Sequence, residues 1–165
     1  MHNREDDGSA MEIQAEVCTT IAATIVPGHR VASGLANDPR FPGGTLALQA
    51  PHFAAQGIDL AAFHPGTLNL SIAPYRYRIG QPKCTLRGVR WSSVSPPEDF
   101  SFFDCQLIAN DRTVTGLVYY PHPETKPEHF QASDILEILA PQLVGIGYGD
   151  RLMIAIDPAQ MQFFR

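Results

Sequence analysis

The sequence predicts a mostly β domain of six or more short strands with one or two brief helices, and three observations predict it. Fourteen prolines and thirteen glycines divide 165 residues into short pieces, which favours strands and frequent turns over long helices. Apolar and polar side chains alternate at residues 67–72, 84–94 and 151–157, the period of a strand with two unlike faces. Residues 100–108 and 113–120 flank Ala109-Asn110-Asp111-Arg112 as the two arms of a hairpin.

In chain order, residues 1–10 are acidic and polar and form a loose tail without the apolar core of a signal peptide. Residues 11–165 form one domain, long enough to bury roughly two-thirds of the unfolded surface. Residues 13–26 are rich in β-branched side chains and extended, and Pro27-Gly28 turns the chain. A short strand at 29–33 ends at Gly34, and a Gly- and Asn-rich loop follows to Gly44. A brief helix spans about 51–56, with Pro51 in its first turn and Gly57 at its end.

Beyond the strand at 67–72 lies a polar, aromatic segment at 75–78, and Ser95-Pro96-Pro97 breaks the alternation of 84–94. After the hairpin, residues 121–129 form a proline-rich loop long enough to be functional. Residues 134–140 are mostly apolar with one carboxylate inside the run, Glu137, and by length form a buried strand or a helical turn, with the strand preferred. Pro141 allows a helical turn, Gly149-Asp150 turns the chain, and 151–157 is the last strand.

Charge and composition narrow the function. A net charge of −5 with no basic cluster disfavours broad binding to nucleic acid. No apolar run reaches the roughly 18–20 residues that span a bilayer. Cys18, Cys84 and Cys105 are odd in number and lack metal-site spacing, which fits a reducing cytoplasm and buried packing. The six histidines are scattered, so a zinc site is not expected.

The chemistry concentrates at His64-Pro65-Gly66-Thr67-Leu68-Asn69-Leu70-Ser71-Ile72. Thr67 and Asn69 share a strand face about 6.5–7 Å apart, two oxygen donors leaning over one spot. That pair suits Mg²⁺, which takes oxygen ligands and keeps part of its shell for water and phosphate; a polar face in water is the plain alternative. The 34–44 loop can present backbone N–H groups to a phosphate, with Arg40 as charge partner. Glu137, read from the strand alone, points to solvent at a sheet edge or into a site. Tyr119, Tyr120, Phe130 and Trp91 are aromatic packing, and the first three could also stack on a ligand ring.

Several segments together resemble the archaeal CTP-dependent riboflavin kinase family. They are Val31-Ala32-Ser33-Gly34-Leu35, the helix opening at Pro51, Pro65-Gly66-Thr67-Leu68-Asn69-Leu70, Ile135-Leu136-Glu137-Ile138-Leu139-Ala140-Pro141 and Gly149-Asp150. They fall in the family's order across residues 28–157. The resemblance implies a small cradle-loop β-barrel that transfers the terminal phosphate of CTP or another nucleotide to the riboflavin 5′-hydroxyl, giving FMN. It implies Mg²⁺ at Thr67 and Asn69, and nucleotide phosphates in the loop bearing Gly34, Leu35, Ala36, Asn37 and Arg40. It implies a cytidine pocket completed by Gln142, Leu143, Val144 and Gly145, and flavin contacts at Thr125 and Glu137.

The chain departs from the family in three places. Ala36, Asn37, Asp38 and Pro39 replace further glycines, leaving fewer freely oriented N–H groups for phosphate. The segment after Pro141 is shorter and lacks the family's Arg, and extra sequence stands at the N-terminus and at 78–95. These departures favour an alternative, a barrel that binds a nucleotide or flavin without turning it over. A DNA-binding regulator is disfavoured by acidity and the missing helix-turn-helix.

Overall fold

The structure, a computed structural model, describes residues 19–29, 33–41 and 43–165. The acidic tail, Cys18 and the first part of the extended 13–26 segment lie outside the described residues, as does most of the strand expected at 29–33. His29 and Ser33, its described ends, are not in a strand. Within the described residues the fold is mostly β, with nine strands and one short helix.

The strands are β1 (Thr20–Val26), β2 (Leu68–Ser71), β3 (Arg76–Ile79), β4 (Cys84–Val89), β5 (Glu98–Ala109), β6 (Arg112–Pro121), β7 (Ile135–Leu139), β8 (Arg151–Ile156) and β9 (Met161–Phe164). Six of them close a ring, β5-β6-β7-β2-β1-β8, every pairing antiparallel and β8 returning to β5. β4 extends the ring's sheet beside β5, and β3 pairs with β9 in a two-stranded ribbon. The arrangement is barrel-like. No helix among the described residues is long and apolar enough to cross a membrane.

The alternation read from the sequence fills the ring. Ile21, Ala23 and Ile25 of β1 meet Leu70 and Ile72, Val118, Leu136 and Ile138, and Phe103, Cys105 and Leu107 in one buried cluster. The hairpin joining β5 and β6 turns at Asn110 and Asp111, with φ of 49° and 60°. Two consecutive positive φ values give the turn whose twist matches the strands it joins, and Asn and Asp tolerate that region best after glycine. β4 ends sooner than its alternation suggests, at a bulge between Leu86 and Val89 where Gly88 takes φ 61°.

The helix α1 (Thr45–Ala54) begins six residues before the expected start, and Pro51 lies inside it. Leu46, Gln49 and Phe53 are buried at helical spacing, so packing sets the helix and overrides the proline. The missing N–H of Pro51 deprives the Ala47 carbonyl of a partner, and both residues are exposed, on the side facing water. Gly57, φ 94°, follows the helix end as expected. Residues 141–150 form turns, not a helical turn, and β9 is a strand the sequence pattern did not separate from the end of the chain.

α1 lies on the outer wall of the ring. A second buried cluster joins its Leu46 and Phe53 to Phe100, Phe102, Leu117, Tyr119 and Leu139 and to Trp91 beyond β4. Phe53 is fully buried, its ring meeting Phe100 at 4.9 Å and Phe102 at 5.2 Å edge-on. Phe53→Ala should cost about 3–5 kcal/mol and undock α1, read as a lower urea midpoint with faster amide exchange across residues 45–54.

Candidate functional site

The outer wall carries the polar groups. Side chains opposite one another across an antiparallel pair share a face, and the registers place Asn69 of β2 opposite Glu137 of β7, and Glu137 opposite Tyr119 of β6. This row runs through three adjacent strands, and α1, residues 27–29 and 33–41 and the loop 121–134 roof it. Neither sequence reading of this face as solvent-bathed holds. Asn69 is 7% exposed, and Glu137 stands on a central strand with its side chain 12% exposed.

Thr67 and Glu137 meet directly, Thr67 Oγ1 donating to Glu137 Oε1 at 3.3 Å. Lys126 of the 121–134 loop approaches Glu137 Oε2 at 4.0 Å. Burial pushes the Glu137 carboxyl above the ordinary 4.5, with Lys126 and the Thr67 hydroxyl pulling the other way. Asn69 is packed over Gly28, where a Cβ would collide with its amide, and its Oδ1 accepts from Gln131 Nε2 at 3.4 Å.

Two cavities open on either side of Thr67. One, about 300 Å³, is bounded by Thr67, Asn69, Ser33, Leu35, Gln142 and Leu143 with apolar walls from β1 and β7. Thus Thr67 and Asn69, expected for metal, line one cavity with Leu35, Gln142 and Leu143 from the two segments expected for nucleotide. None of the described residues lining it is Lys or Arg. The other cavity, about 60 Å³, lies under α1 and includes Thr67, Glu137, Lys126, Glu98, Trp91 and Tyr119 in its lining. A third, about 130 Å³, sets Tyr77, Tyr120 and Phe130 beside Glu137.

Other expected residues stand apart. Gly34 packs against the Gly43-Gly44 backbone, and Ala36 and Asn37 are exposed without lining the large cavity. Arg40 does not stand free for a phosphate: it pairs with Asp38 and with Glu128, each at 2.7 Å, and ties its loop to the 121–134 loop. Val144 is 83% exposed and turns toward β5 and β6, and Gly145, φ 76°, lines none of these three cavities. Thr125 is occupied structurally, its Oγ1 accepting from the Asp99 N–H at 2.9 Å and donating to the His122 carbonyl at 3.3 Å. It lines none of the three cavities either.

Three polar residues escaped the sequence reading. Glu98 is 4% exposed and accepts from Trp91 Nε1 at 2.8 Å. Gln49 of α1 is buried and accepts from the Tyr119 hydroxyl at 2.8 Å. Lys126 belongs to a loop named only for its length. The one signal for Glu98 was an acid sharing a strand face with Phe100 and Phe102. Ser101 Oγ and His122 Nε2 lie 2.7 Å apart, but Ser101 is fully buried against Thr85 and opens on none of the three cavities, so the pair is structural. Asp38, Glu128 and His129 cluster with their donor atoms within 4.8 Å of one another, and Arg40 already compensates both carboxylates.

No protein-family model and no curated protein matches the chain.

Burial raises Glu98 above 4.5, with Trp91 and Lys126 opposing. A carboxyl raised in the fold binds its proton more tightly there than in the unfolded chain, so across the raised range folding takes up protons. Its contribution to stability is therefore full below about pH 4.5 and declines as pH climbs through the raised value. Glu98→Gln should remove that decline. Urea unfolding from pH 4 to 7 should show wild type losing stability relative to the variant as pH rises, and parallel curves would exclude the buried-acid account.

Proposed function

We propose that this chain is a riboflavin kinase-like phosphotransferase that moves the terminal phosphate of a nucleoside triphosphate, CTP in the first instance, to the riboflavin 5′-hydroxyl. The observation that carries the reading is the position of Thr67, shared by a large cavity on one side and the Glu137 cavity on the other. Phosphoryl transfer asks chiefly for donor and acceptor in line and for neutralised charge. Two cavities that share the Thr67 side chain support a reading in which donor and acceptor meet there.

In this reading the nucleotide occupies the larger cavity, its base against Leu35, Gln142 and Leu143. The donors at Thr67 and Asn69 are oxygens facing a cavity without a described Lys or Arg, which fits Mg²⁺, and those two residues would hold it. When bound, the ion supplies the charge neutralisation that the lining lacks. Glu137 accepts a hydrogen bond from the flavin and fixes its orientation, with Tyr120 and Phe130 beside it. The Asn69 oxygen that would hold the ion is the one that accepts from Gln131 here.

The engagement of Arg40 by Asp38 and Glu128 favours the second reading, a barrel that holds a nucleotide or flavin without transfer. Incubation with riboflavin, Mg²⁺ and each nucleoside triphosphate in turn separates the two. FMN formation is the expected result; flavin or nucleotide binding without FMN leaves the binding barrel, and the absence of FMN and of both kinds of binding sinks both readings. Asn69→Ala should abolish Mg²⁺-dependent nucleotide binding at a stability cost of about 1–2 kcal/mol, that of a long buried hydrogen bond. Unchanged nucleotide affinity in that variant would remove the metal assignment.

Glu137→Gln keeps shape but weakens a charged acceptor worth about 1.5–3 kcal/mol. Flavin affinity measured by fluorescence titration should fall about tenfold or more, while nucleotide affinity stays level. Equal flavin affinities would remove Glu137 from the flavin site.

A further inference from the structure

The cavity under α1 holds charges that the protein leaves partly unanswered. Glu98 is nine-tenths buried and more; one carboxylate oxygen takes the Trp91 N–H, and the other accepts nothing from the described residues. Lys126, with its side chain 16% exposed, reaches Glu137 only at 4.0 Å, well beyond the 2.7–2.9 Å or so of a charge-assisted hydrogen bond. His129 Nε2, in the same lining, is buried without a hydrogen-bond partner. Buried polar atoms normally find partners, and these four residues surround a space of about 60 Å³, several times the ~10–15 Å³ that one water needs.

The donor pattern restricts what fills that space. A metal cation is repelled by the Lys126 ammonium, and an anion by the two carboxylates. An apolar group would leave all three charges without solvent or partner. A hydroxyl donates to a carboxylate and accepts from an ammonium at once, and neighbouring hydroxyls repeat that match across the cavity. The Trp91 indole forms an apolar wall to the same space.

We propose that Glu98, Lys126 and Glu137 form a binding site for a polyhydroxylated group, a polyol chain or a sugar ring, with Glu98 and Glu137 accepting from its hydroxyls and Lys126 donating to them. The assignment holds whether or not a phosphoryl group is moved. It deepens the proposed function in one respect, resting there on that reading: riboflavin carries such a chain.

The first measurement needs no variant. Ribitol and 1,5-pentanediol, equal in carbon number, are titrated into the full chain by ligand-observed NMR. Ribitol should saturate and pentanediol should not; equal behaviour, or no ribitol binding up to its solubility limit, overturns the site. Glu98→Gln, checked for folding by circular dichroism, should weaken ribitol at least tenfold, and unchanged affinity overturns the role of Glu98. Should that variant not fold, Lys126→Met is read in its place with the same two outcomes.

Riboflavin and lumiflavin, which lacks the polyol chain, separate this site from the flavin reading. Riboflavin should bind at least tenfold tighter, and the Glu98→Gln change should erase the difference. Both flavins binding equally overturns the polyol site and leaves the flavin reading standing. Ribitol binding that Glu98→Gln abolishes, with neither flavin bound, supports the site and removes the flavin reading.

Discussion

Closure of the ring through β5 is the constraint on which the rest of this structure depends. One edge of this twelve-residue strand pairs with β6 along its length. Its other edge changes partner midway, meeting β4 from Glu98 to Phe102 and β8 from Cys105 to Ile108. A shorter strand could not make both contacts, and without the second β8 and β5 would present open edges. The parity of the strand does the remaining work. Phe103, Cys105 and Leu107 point into the ring, whereas Glu98, Phe100 and Phe102 point out under α1.

That parity is why the polar groups sit on the outside of the ring yet out of water. The interior is packed with Ile, Leu, Val and Phe side chains, of which Ile25 and Ile138 also border the cavity of about 300 Å³. The outer wall is covered by one helix and two loops, which pack well over the aromatic residues and incompletely over Asn69, Glu137, Lys126 and Glu98. Contacts between the loops hold the roof in place: Arg40 with Glu128 at 2.7 Å, and His29 Nε2 donating to the Phe130 carbonyl at 3.2 Å. Desolvated carboxylates without a close opposite charge cost stability, and their concentration beside cavities makes this face the candidate site.

The sequence by itself determined the fold class, because alternation of period two and turn chemistry are local properties. Leu70 and Ile72, the two-residue turn at Asn110-Asp111 and the strand carrying Glu137 follow from a few neighbouring residues each. It also brought forward Thr67 and Asn69 for a metal and Glu137 for a flavin, and the fold makes them neighbours, Asn69 through the β2–β7 register and Thr67 through its hydrogen bond to Glu137. Only the tertiary structure decided which face of each strand is covered, since a polar residue reads the same whether water or a helix lies over it. So the start of α1 went unread, its packed face outweighing Pro51, and so did the engagement of Arg40 by Glu128 and of Thr125 by Asp99. Glu98, Gln49 and Lys126 lie up to 77 residues apart in sequence and meet only because the ring closes and α1 docks on it. No local pattern encodes that meeting: it depends on long-range pairing, and the burial that perturbs these groups exists only once the chain has folded.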